Sequence, residues 1–185
     1  MNACPLAKAL AAIVLAAGTV LTVPLAADAA PPPAPLVGSC HTYDWATFLA
    51  PADTSTPVSC DSAYAARTIF VGRLWTDEPY STLLTDPKIA VYIVAQCDPA
   101  RQQAIGPWKT LAVSGYDMAS FFPTEAQYNA NARWFRCDVV APGAGHMYPL
   151  QHQSPEAVPL TPSYQRCLHA TSHGLIATVC AAAHS

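Results

Sequence analysis

Charge is scarce in this chain. Asp, Glu, Lys and Arg together make up 11% of its 185 residues, only 9 of them are Lys or Arg, and the net charge is −3. No basic cluster stands out, so a phosphate backbone or an anionic bilayer would find no electrostatic footprint, and no nucleic-acid partner is expected. No Gly-rich loop is present to cradle a phosphate, and no cofactor site can be read. Cys-x-x-Cys spacing is missing too, which argues against a structural zinc site or a catalytic thiol. With few ions available, Ser, Thr, Gln and the 18 prolines must carry much of the surface. The length suits one domain.

The N-terminus has the pattern of an export signal. Lys8 supplies a positive n-region, Ala9 to Leu25 form an apolar stretch broken by Gly18 and Pro24, and Ala27-Asp28-Ala29 is a small-x-small cleavage site. A retained single-span anchor is the alternative, for which the stretch is barely long enough. The expected division is a signal peptide over 1–29 and a Pro-rich spacer over 30–37, followed by an exported protein with no membrane span after cleavage. Cys4 precedes the apolar stretch and cannot be a lipoprotein cysteine.

Losing the leader leaves Cys40, Cys60, Cys97, Cys137, Cys167 and Cys180. An even number in an exported chain reads as a disulfide framework, for which sequence does not choose the connectivity. Sequential pairing is the expectation here: Cys40 with Cys60, Cys97 with Cys137, Cys167 with Cys180.

Pro31-Pro32-Pro33-Ala34-Pro35 reads as a stiff, exposed arm. A loop rich in Pro, Asp, Ser and Thr covers Ala50 to Pro57. Ala65 to Trp75 predicts a strand, with Arg67, Ile69 and Val71 on one parity and Thr68, Phe70 and Gly72 on the other. Asp86-Pro87 is a cap followed by a first-turn proline, and Ile89, Tyr92, Ile93 and Cys97 recur at helical steps, so the core helix should begin there. Asp98-Pro99 bends or restarts that helix and Gly106 stops it. Leu111 to Val113 suggests a short strand, and Ser114 to Asp117 a turn.

Phe121 to Cys137 is the most informative stretch. Pro123-Thr124 can open a short helix through Gln127 and Tyr128, ending near Asn129 and Asn131. A strand from Arg133 through Val140 to Pro142 should follow, with one face buried and the arginines on or near its rim. Together with Gly38-Ser39-Cys40, Val58-Ser59-Cys60, the Thr68 to Gly72 strand and Cys97 in an apolar helix, this stretch resembles the septum formation domain of exported actinobacterial proteins. The resemblance covers roughly Gly38 to Pro142. The chain departs from the family pattern at Ala63-Tyr64, where Pro-His is usual, and at Tyr128 and Ala132, where Trp and Gly are usual. The resemblance implies a cell-envelope protein linked to cell division, with no known enzymatic activity.

The domain expected on these grounds spans 38–141, with a Pro-rich loop or linker over 142–164 and a partial second cysteine unit over 165–185. In that last unit Cys167-Leu168-His169 to Val179-Cys180 echoes Cys40-His41 to Val58-Ser59-Cys60.

Several chemistries can be weighed against blander readings. Five of the six histidines follow Gly145, and His169-x-x-x-His173 would share a helix face with His184 as a third ligand. Gly174 and the missing Glu favour solvated loop histidines, so no metal is expected. Ser114-Gly115 is half of a nucleophile elbow. The acidic residues read better as caps than as a glycosidase pair. Trp75, Trp108 and Trp134 could line a groove, although core packing is their expected fate.

The fold class expected is α+β: a small, mostly antiparallel sheet packed on helices starting at Asp86 and near Thr124, stapled by about three disulfides. The functional expectation is a secreted or envelope protein with no catalytic residues, meeting an envelope or division-site protein or a cell-wall component through Tyr128, Arg133, Trp134 and Arg136. The alternatives are a small secreted cell-wall hydrolase and a histidine-tail metal binder.

Overall fold

The computed structural model describes residues 30–143, 145–150, 165–171 and 174–180. The expected signal peptide, residues 151–164 and the last five residues lie outside the described residues.

An antiparallel sheet orders β1 (Cys40–His41), β2 (Ala66–Arg73), β4 (Trp134–Gly143) and β3 (Asp117–Phe121) side by side, and β5 (His146–Tyr148) pairs with the end of β4. β4 is the centre of the molecule. Both of its neighbours hydrogen-bond to it and nearly every residue along it is buried, so it has no polar rim. The rim position expected for its arginines therefore gives way, at Arg136, to burial at 3% exposure.

The longest helix, α3 (Pro87–Ile105), starts where the sequence places it. Asp86 accepts from the Lys88 amide as N-cap, Pro87 needs no donor, and Gly106 ends the helix at φ 122°. Pro99 leaves it unbroken as one element. Ile89, Ile93 and Cys97 pack with Phe135 and Cys137 of β4, so α3 covers one face of the sheet. The disulfide Cys97–Cys137 fastens this contact, Cys40–Cys60 closes the first cysteine unit, and Cys167–Cys180 closes the last, which is the sequential connectivity.

β2 departs from its simple alternation. A bulge between Thr68 and Phe70 sets Thr68 opposite Asp138 but Phe70 opposite Cys137. Thr68 thus faces away from α3, whereas Phe70 turns toward it and meets Phe135 at a ring separation of 5.9 Å. Gly72, opposite Phe135, makes room for that ring.

Other expectations shift. Leu111 to Val113 end a helix, α4 (Trp108–Val113), because Gly106-Pro107 ends one helix and starts the next. The turn expected over Ser114 to Asp117 leads into strand β3, which begins at Asp117. α5 (Glu125–Asn129) begins at Thr124 with a reciprocal capping box to Gln127. Trp75 is 60% exposed, edge-on to Tyr92, rather than in the core.

His169 lies in strand β6 (Arg166–Thr171), which pairs with β7 (Gly174–Val179), so His169 stands on a strand rather than on the expected helix, while His173 and His184 lie outside the described residues. The two cysteine units are built differently, since β1 pairs with β2 whereas β6 pairs with β7. The hairpin docks at Gly115, where any β-carbon would meet the backbone of Val179 and Gln165. Val179 is fully buried in the core there.

Candidate functional site

The face of the sheet opposite α3 holds most of the buried charge. Strand alternation puts Trp134, Arg136, Asp138 and Val140 of β4 on this face, and Thr68 and His41 join them from β2 and β1. Asp53 arrives from the loop before β2. All four ionisable side chains of the group, His41, Asp53, Arg136 and Asp138, are exposed by 4% or less.

Arg136 holds the cluster together. Its Nη2 bonds both the Asp53 carboxylate and Asp138 Oδ2, the latter at 3.0 Å, while its guanidinium lies 4.9 Å from the Phe121 ring centre on β3. Asp53 also accepts from the amide and hydroxyl of Ser55, at 2.7 and 2.8 Å. Thr68 donates to Asp138 Oδ1 at 2.8 Å, and Tyr43 reaches Asp138 Oδ2 at 3.5 Å.

The protons can be placed from these contacts. With Asp138 ionised, the Thr68 hydroxyl proton goes to Asp138, its nearer partner, and at the 3.3 Å contact with His41 Nε2 the imidazole is then the donor. Neutral His41 then turns a lone pair at Nδ1 toward Asp53 Oδ2, 3.6 Å away, and that nitrogen has no hydrogen-bond partner. Burial is the main reason His41 stays neutral, lowering its pKa to about 4, with the Arg136 charge adding to the effect and Asp53 opposing it. Burial also raises Asp138 to about 6 against the pull of Arg136. Tyr43 is held far above its ordinary range by burial and the Asp138 charge.

Thr68, His41 and Asp53 have the outline of a nucleophile, base and acid. The hydrogen bonding runs the wrong way for that chemistry, because a base must receive the nucleophile's proton. The two carboxylates share one guanidinium instead of facing each other across a cleft.

The residues expected to form a contact surface are divided by the fold. Tyr128 is 3% exposed, its hydroxyl donating to the Glu78 carbonyl at 2.7 Å. Arg133 stacks 3.9 Å from the Tyr128 ring centre and pairs with exposed Asp77 at 3.0 Å. Trp134 and Arg136 sit together on the charged face, with Trp134 8% exposed.

A cavity of about 470 Å³ borders the cluster, with His41, Asp53, Trp134 and Arg136 on one side and Pro33 to Leu36 on the other. A second, of about 460 Å³, shares Ala34 and Trp134 with it. The Pro-rich arm therefore runs against the fold at Trp134 instead of standing clear of it. Trp134 Nε1 and Arg136 Nε are buried beside the arm, and neither has a hydrogen-bond partner among the described residues. A buried donor left unpaired costs about 1–3 kcal/mol.

Sequence reading missed His41, Asp53, Thr68 and Asp138 as a group. The usable signal was Asp138 two residues from Arg136 in a strand otherwise apolar on both sides.

Fold and site define a small α+β domain, braced by disulfides, with a sealed charge cluster on the sheet face away from its main helix. Residues 37–185 match the family described as Septum formation, and the chain belongs to that family. The match runs through the C-terminal cysteine unit. No curated protein and no solved structure matches the chain. Among the described residues no helix is long and apolar enough to cross a membrane.

Proposed function

We propose that the protein acts in septum formation from the outer side of the cytoplasmic membrane, as a non-catalytic domain that recognises an envelope protein or a cell-wall component. Family membership supports the link to the septum. The disulfides and the leader pattern support an exported location, since such bonds persist in oxidising compartments.

The observation that carries the non-catalytic reading is the direction of the Thr68 hydrogen bond. Among the described residues, the Thr68, His41 and Asp53 arrangement has the outline of a hydrolytic relay, but its hydroxyl lies nearest Asp138 and the group is buried, which supports a structural role for it. The test incubates the purified, disulfide-bonded protein with purified cell-wall material and assays for soluble fragments. The reading expects none above a heat-denatured control, and time-dependent release that Asp53→Asn abolishes would overturn it.

A further inference from the structure

The cavity between the arm and β4 combines two features that share one explanation. The first is a pair of buried donors, Trp134 Nε1 and Arg136 Nε, with no partner among the described residues. The second is that the cavity lined by these two residues is also lined by the chain's own proline segment, Pro33 to Leu36. Prolines in a row offer carbonyl acceptors without competing N–H groups and hold an extended, left-handed conformation. An indole N–H beside such a segment is the arrangement by which aromatic-lined grooves read proline-rich peptides. In this fold the arm lies against the groove, yet neither donor has a partner among the described residues, so the chain's own segment leaves both unused.

We propose that the Trp134–Arg136 face of β4 is a binding groove for a proline-rich, extended segment of a partner protein, with the Pro31–Pro35 arm as the strap that the partner displaces. The charge of the groove favours this ligand over an anion. Asp53 and Asp138 outnumber the guanidinium of Arg136 within the cluster, so a carboxylate or phosphate would meet like charge, whereas a neutral peptide carbonyl would not. The walls suit the same ligand. Leu36 is 75% exposed and Pro32 and Pro35 are half-buried, so the strap is held weakly for a segment in contact with the fold. This inference rests on the recognition reading above and names the chemistry of the partner.

The test titrates the full, disulfide-bonded protein with a synthetic peptide of the arm sequence, residues 30–37, and follows the indole N–H resonances by NMR. Trp134→Phe identifies which of the 4 tryptophan signals belongs to the groove. The expected result is a saturable downfield shift of the Trp134 signal. A full-length variant with Pro33→Gly and Pro35→Gly, whose strap is less preorganised, should bind about tenfold more tightly, and Trp134→Phe, followed through the backbone amide of Arg136, should bind about tenfold less tightly.

A Trp134 signal unmoved by millimolar peptide in both the natural chain and the loosened-strap variant would overturn the proposal. So would an equal response to a peptide in which every proline is alanine. Either failure leaves the septal role standing, because that role is read from localisation.

Discussion

Arg136 bonds Asp53 across 83 residues of sequence, from the middle of the central strand to a loop rich in Ser, Thr and Pro. The pair is sealed, with side-chain exposures of 4% and 0%. Among the described residues, Arg136 is the cation that Asp53 and Asp138 share. Removing it would strand two carboxylates in the interior, so Arg136→Ala should lower stability by about 3–5 kcal/mol. Chemical denaturation at neutral pH reads the loss. A change below 1 kcal/mol would mean that the carboxylates find water or another partner.

The cluster also carries two opposed pH responses. Asp138 has a raised pKa, about 6 against 3.8, so the folded state binds its proton more readily; that contribution is full below pH 3.8 and is lost as pH rises through 6. His41 has a lowered pKa, about 4 against 6.5, so its contribution is full above pH 6.5 and is lost as pH falls through 4. The two nearly cancel over the shared window. His41→Asn should therefore leave a protein whose melting temperature falls as pH rises from 4 to 6, and Asp138→Asn one whose melting temperature climbs over the same interval. Parallel profiles in the two variants would contradict the assignment.

Gly72 and Gly115 are required for different contacts. A β-carbon at Gly72 would enter the rings of Phe135 and Phe70, and one at Gly115 would strike the backbone of β7. Gly72→Ala should destabilise the whole domain by about 1–3 kcal/mol through overpacking. Gly115→Ala should instead loosen the β6–β7 hairpin, read as faster amide exchange at Val179 with the exchange of β4 unchanged.

The Cys97–Cys137 bridge joins α3 to the central strand over a separation of 40 residues. On loop entropy its removal by paired alanines should cost about 4 kcal/mol, more than the loss of Cys167–Cys180, whose separation is 13. Thermal melts of the two double variants give the order.

The parts of this fold that were legible had local chemistry behind them. Asp86-Pro87 with Gly106 marked both ends of α3, and Thr124 with Gln127 marked the start of α5. What was not legible depended on contacts between distant residues. The bulge that turns Thr68 toward Asp138 answers to the register of β4 and leaves no trace in the alternation of β2. Leu111 to Val113 read as a short strand, on apolar residues that include the β-branched Val113, but they close the helix that Pro107 opens. Asp53 looked like one more polar residue in a surface loop until Arg136 was found beneath it.

The most direct measurement is the position of the protein in dividing cells of its own host. A full-length, export-competent copy carrying a reporter that folds outside the membrane is followed through the cell cycle. The account predicts enrichment at the septum that rises and falls with constriction. A uniform envelope signal at every stage, or protein found only in the medium, would contradict it.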